Sequence, residues 1–77
     1  MNKVMFFAHL RDAVGEEEVI VEAAGKTVAQ LKVEIVETYG LQKMDTVMTA
    51  INEEFAGNKE IIQDGDVIAF IPPVSGG

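Results

Sequence analysis

The sequence predicts an α+β roll: a mixed sheet of about five strands with one main helix packed on one face. Three observations carry that reading. A single capped, amphipathic helical segment lies mid-chain; strand-like apolar runs precede and follow it; and turn-forming residues punctuate the joins. The 77 residues allow one domain, and a chain of this size buries only about 60% of the surface its unfolded form exposes. With 48% hydrophobic and 25% charged residues it belongs to the soluble globular class rather than the disordered one.

Taken in order, "KVMFFAHL" is rich in strand formers and predicts a first strand from Lys3 to Ala8, after which "LRDAVG" reads as a helical turn or short helix closing at Gly15. "EVIVEA" predicts a second strand from Glu18 to Glu22. Thr27 followed by Gln30 fits a capping box, and Val28, Leu31, Ile35 and Tyr39 recur at helical spacing until Gly40 supplies a stop. "TVMTAIN" alternates as a strand, "EEFA" reads as a short edge strand after a turn, and "KEII" as a brief turn of helix. "QDGD" is a turn signal before the last strand, "VIAFI". A hairpin, a crossing helix and further strands make the β-grasp, or ubiquitin-like, roll the natural candidate. The domain is expected over residues 1–71, with an extended C-terminal tail over 72–77.

One helix covers one face of a sheet. On the first strand Val4, Phe6 and Ala8 share a face and Met5 and Phe7 the other; on the last, Ile68 and Phe70 oppose Val67, Ala69 and Ile71. Both faces are apolar, so the set not packed under the helix faces water or a partner, unless loops of the same chain cover it.

Thirteen acidic against six basic residues give a net charge of −7, which opposes binding to nucleic acid or an anionic membrane. A protein partner with a basic face fits better, although acidity also serves plain solubility. The chain has no cysteine, which excludes disulfides, thiolate metal sites and side-chain thiol nucleophiles. The opening apolar run is too short for a signal sequence and no stretch approaches a membrane span, so a cytoplasmic location is expected. No metal site is expected: His9 is the sole histidine and reads as a surface residue, Glu16, Glu17, Glu18, Glu53 and Glu54 as solvated turns, and Asp64 and Asp66 flank Gly65 without completing a calcium loop.

The last residues, "FIPPVSGG", carry the chemical signal. A C-terminal carboxylate can be converted to an acyl adenylate, and Gly76 and Gly77 present no Cβ to a narrow channel leading to the activating site. Pro72 and Pro73 hold the backbone extended, so the tail loses less entropy on insertion. A glycine-rich end without chemistry is the plainer reading of the same residues.

Over essentially the whole chain, "KVMFFAHLRDAVG", "INEEF" and above all "DGDVIAFIPPVSGG" resemble the small, sulfur-carrying subunits of molybdopterin synthase in spacing and content. The resemblance implies a β-grasp protein whose Gly77 is adenylated by a ubiquitin-activating type adenylyltransferase using ATP and is then converted, with a sulfur donor enzyme, to a thiocarboxylate. It further implies insertion of the tail into the large subunit of the synthase, where the sulfur attacks cyclic pyranopterin monophosphate; two deliveries build the dithiolene that binds molybdenum. The working form is then a hetero-oligomer, and the pterin-binding and acid/base groups belong to the large subunit. This chain itself binds no cofactor. The carry-over falls on Gly76 and Gly77 for acyl chemistry and on Pro72, Pro73, Val74 and Ser75 for docking of the tail. The exposed-face argument adds Met5, Phe7, Val67, Ala69 and Ile71 as the partner interface. Sulfur carriers of the thiamine type, a modifier joined through Gly77 to lysines, and a β-grasp interaction module without tail chemistry are the alternatives; deleting Gly76 and Gly77 would leave only the last intact.

Overall fold

The computed structural model describes residues 1–42 and 44–73. Its elements are β1 (Asn2–Phe6), α1 (His9–Val14), β2 (Glu18–Val21), α2 (Val28–Tyr39), a 3-10 turn (Met44–Thr46), β3 (Met48–Ile51), β4 (Glu54–Ala56) and β5 (Val67–Ile71). They form one mixed sheet in the order β2-β1-β5-β3-β4. β1 and β5 run parallel at its centre, and the other pairings are antiparallel. This is the β-grasp arrangement.

The helix follows from its ends and its stripe. Gln30 N donates to Thr27 Oγ1 at 3.1 Å and Thr27 N donates to Gln30 Oε1 at 2.8 Å, closing the capping box. Two further N–H groups of the first turn, on Val28 and Ala29, donate to the carbonyls of Glu60 (3.0 Å) and Asn58 (3.1 Å). The segment expected as a turn of helix, "KEII", is therefore not helical. It runs past the start of α2 as its cap, and Ile61 forms an antiparallel bridge with Thr27. At the other end Gly40 adopts φ 65°, and its N–H closes on the Val36 carbonyl at 2.8 Å.

Val28, Leu31 and Ile35 of α2 pack on Val4, Phe6, Ile68 and Phe70, with Leu10, Leu41, Met44, Val47 and Ile62 closing the rim of the core. Phe6 meets Tyr39 edge-on, with ring centroids 6.1 Å apart, and lies 6.2 Å from Phe70. The first strand ends earlier than its pattern implied. Ala8 was expected beside Val4 and Phe6, but it is exposed at φ 55°, ψ −135°, turning the chain into α1.

Asn2 fixes the sheet at one end. It is buried, its Oδ1 accepts from Ala23 N (3.2 Å), and its Nδ2 donates to the carbonyls of Gln63 (2.8 Å) and Asp66 (3.0 Å). One side chain thus ties β1 to the loop after β2 and to the turn before β5. Replacing it by leucine, which keeps the branched shape and the number of heavy atoms but no polar group, strands all these backbone groups; Asn2→Leu is expected to cost about 3 kcal/mol. Urea unfolding checks this: the midpoint should fall at constant m, and an unshifted midpoint would show that water replaces the amide.

Candidate functional site

Among the described residues, no helix or strand covers the face of the sheet away from α2. Across it, Met5 of β1, Ala69 of β5, Ala50 of β3 and Phe55 of β4 stand side by side in register. Alanine at the two central positions leaves a floor without bulk, so the larger side chains become walls. The result is a depression of about 660 Å³ with Met5 and Phe7 on one side, Phe55 on the other, and Val67 and Ile71 along β5.

All of the residues the sequence assigned to an interface, Met5, Phe7, Val67, Ala69 and Ile71, line this one depression and are half-buried. Ala50, Asn52, Glu53 and Phe55, which complete it, were not assigned to this face from the sequence; Glu53 was read there only as part of a solvated turn. Phe55 is 75% exposed, on a strand whose partner positions could not be assigned without the register. Its sequence signal is partial: a phenylalanine preceded by two glutamates in a short edge strand marks an aromatic near the surface but not the face it occupies.

At the rim, the β3–β4 hairpin turns on Asn52 (φ 51°) and Glu53 (φ 72°), a two-residue loop with both central residues left-handed. Asn52 is fully engaged: its N–H donates to the Val67 carbonyl (2.8 Å), its Oδ1 accepts from Val67 N (3.0 Å), and its Nδ2 donates to Asp66 Oδ1 (2.9 Å). Glu53 occupies a conformation that glycine adopts freely and that costs a side-chain-bearing residue on the order of 1 kcal/mol. Below the depression β5 continues into Pro72, which is buried, and Pro73, which is exposed. The tail residues Val74, Ser75, Gly76 and Gly77 lie outside the described residues.

The arrangement defines a class: a small ubiquitin-like β-grasp protein with one apolar sheet face left open beside the root of its C-terminal segment. The chain belongs to the ThiS family, whose model matches residues 4–77. It is similar to the Escherichia coli K12 molybdopterin synthase sulfur carrier subunit, 35% identical over 81 aligned positions that span 100% of both chains. In structure it is similar to a putative molybdopterin converting factor subunit 1 from Pyrococcus furiosus, with a TM-score of 0.79 at 30% identity, covering 95% of this chain and 97% of that one. A complex of subunits 1 and 2 of the molybdopterin-converting factor from Helicobacter pylori contains a further match, with a TM-score of 0.71 at 29% identity over 99% of this chain and 97% of that one. Among the described residues no helix is long and apolar enough to cross a membrane.

The site geometry sets two stability expectations. Phe55→Ala, at an exposed position, should change stability by less than about 0.5 kcal/mol, whereas Phe70→Ala, fully buried on the opposite face, should cost about 3–5 kcal/mol. Glu53→Gly should stabilise by about 0.5–1 kcal/mol through release of the left-handed turn. Chemical denaturation of the three variants beside the parent chain tests both; a large loss in Phe55→Ala would mean that the open face is part of the core.

Proposed function

We propose that this chain is the sulfur carrier subunit of a molybdopterin synthase. The observation that supports this best is the open apolar depression lying against β5, the strand that leads into "PPVSGG", in a chain matching a carrier subunit of that name from end to end. The depression docks the large subunit, and also the adenylyltransferase, while the tail reaches the reacting centre of each.

In this reading a Gly77 carboxylate oxygen attacks the α-phosphorus of ATP held by the adenylyltransferase, and pyrophosphate leaves. A sulfur donor enzyme then supplies the sulfur that displaces AMP, giving a thiocarboxylate. In the large subunit that anionic sulfur attacks cyclic pyranopterin monophosphate to give a thioester, and water then attacks the acyl carbon, breaking its bond to sulfur so that the sulfur stays on the pterin and Gly77 returns to the carboxylate. The chain's own contribution is positional. Gly76 and Gly77 carry no Cβ to obstruct a narrow channel, and the proline pair restricts the backbone conformations lost on insertion. The sulfur rides on the acyl terminus, so the absence of cysteine is no obstacle.

The test is the intact mass of the protein from cells that make molybdenum cofactor. A species heavier by the difference between sulfur and oxygen, localised to the C-terminal peptide and discharged by the large subunit with cyclic pyranopterin monophosphate, is expected. A terminus that resists adenylation, or a thiocarboxylate that the synthase cannot discharge, would overturn the assignment. Deleting Gly76 and Gly77 should abolish sulfur transfer while leaving the unfolding midpoint unchanged, because terminal residues contribute little to domain stability.

A further inference from the structure

The depression is apolar apart from Asn52 and Glu53. Asn52 spends its amide on Asp66 and Val67, which leaves Glu53 as the one charged side chain among the described residues lining it. No ion pair within the described residues engages that carboxylate: the salt bridges there fall on Glu17, Glu18, Glu22, Glu34 and Asp64. Glu53 is also held in place. It sits in a two-residue left-handed loop, and the neighbouring Asn52 locks that loop to β5, so the carboxylate is presented from a fixed point on the rim.

The next residue supplies the contrast. Glu54 pairs in register with Ile51, and Ile51 packs against the core beneath α2. Glu54 therefore stands on the other side of the sheet, and it does not line the depression. Two adjacent glutamates with the same formal charge thus divide between the open face and the opposite one.

From this geometry we infer that Glu53 pairs with a lysine or arginine on the rim of the partner surface that fills the depression, and that this pair sets the orientation and rate of docking. The inference rests on the proposed function, since the partner tested is the large subunit. A carboxylate at the edge of a dehydrating apolar contact is screened less than one in open water, so its pairing counts for more than a surface salt bridge. The net charge of −7 steers a basic partner towards the whole molecule; Glu53 is placed to convert that general attraction into a register.

The experiment is association kinetics of the full chain with the large subunit, across a range of salt concentrations, for the parent and for Glu53→Lys, Glu53→Gly and Glu54→Lys. Glu53→Lys is expected to weaken binding about tenfold or more at low salt, with a slower on-rate and a flatter salt dependence. Glu54→Lys makes the same change in net charge on the opposite face and is expected to stay within about threefold of the parent. Glu53→Gly, which removes the charge and relaxes the turn, should bind more weakly although it unfolds later, so a loss of affinity there cannot be a folding defect. Equal effects of Glu53→Lys and Glu54→Lys would reduce the role to net charge and overturn the inference, as would unchanged binding of the Glu53 variants. Failure of the parent chain itself to bind the large subunit would overturn the proposed function and this inference with it, an outcome distinguishable from the other two.

Discussion

The β1–β5 pair at the centre of the sheet carries apolar side chains on both faces, and the described residues include one long helix with which to cover them. α2 is 12 residues long, a rod of about 18 Å, and it is committed to Val4, Phe6, Ile68 and Phe70. The opposite set, Met5, Val67, Ala69 and Ile71, is left half-buried by its own neighbours alone. Each square ångström of apolar surface left exposed forgoes the roughly 25 cal/mol that its burial returns, so a surface of this kind lowers the stability of the isolated domain and raises the reward for association. The residues that build the core and those that line the open face are alternate residues of the same strands.

That sharing puts a premium on register. A slip of one residue between β1 and β5 would exchange the two sets, sending Phe6 outward and Met5 into the core. Asp66 is where the register is pinned. Its carbonyl accepts from Asn2, one carboxylate oxygen accepts from Asn52, and the other accepts from the N–H of Gln63. The turn preceding β5 is thereby fastened to the start of β1 on one side and to the β3–β4 hairpin on the other. Core packing and the shape of the depression consequently depend on one turn, although neither contains it.

Much of this was legible from local signals, because those signals were self-contained. The capping box at Thr27 and Gln30 and the stop at Gly40 specify a helix with information inside the helix, and alternation in "KVMFF" and "VIAFI" specifies two apolar faces before the strands are paired. The failures share the opposite property. "KEII" reads as helical by composition, yet its Glu60 carbonyl accepts from Val28 in the first turn of α2 and its Ile62 carbonyl from Gly25 just before it, partners more than 30 residues earlier in sequence. Asn2 looks like an ordinary polar residue near a terminus; only the meeting of three chain segments makes it a buried clamp. Ala8 fits the strand period, but the backbone turns there. Phe55 and Glu53 could be placed on the open face only once β4 had been set in register against β3.

The root of the tail shows how docking and chemistry are linked in the proposed function. Ile71 points into the depression, while Pro72, the next residue, is buried within the domain. A partner that covers Ile71 has therefore already engaged the rigid end of the strand from which the tail departs. With Gly77 as the acyl residue, the four residues beyond Pro73 span at most about 14 Å, so the reacting centre of any partner has to lie within that distance of the edge of its docking surface. Docking on the depression makes delivery of the terminus effectively intramolecular, with a high local concentration set by the short tether. The apolar face then supplies binding energy at a distance from the reacting bond, and the terminus itself needs no recognition element larger than glycine.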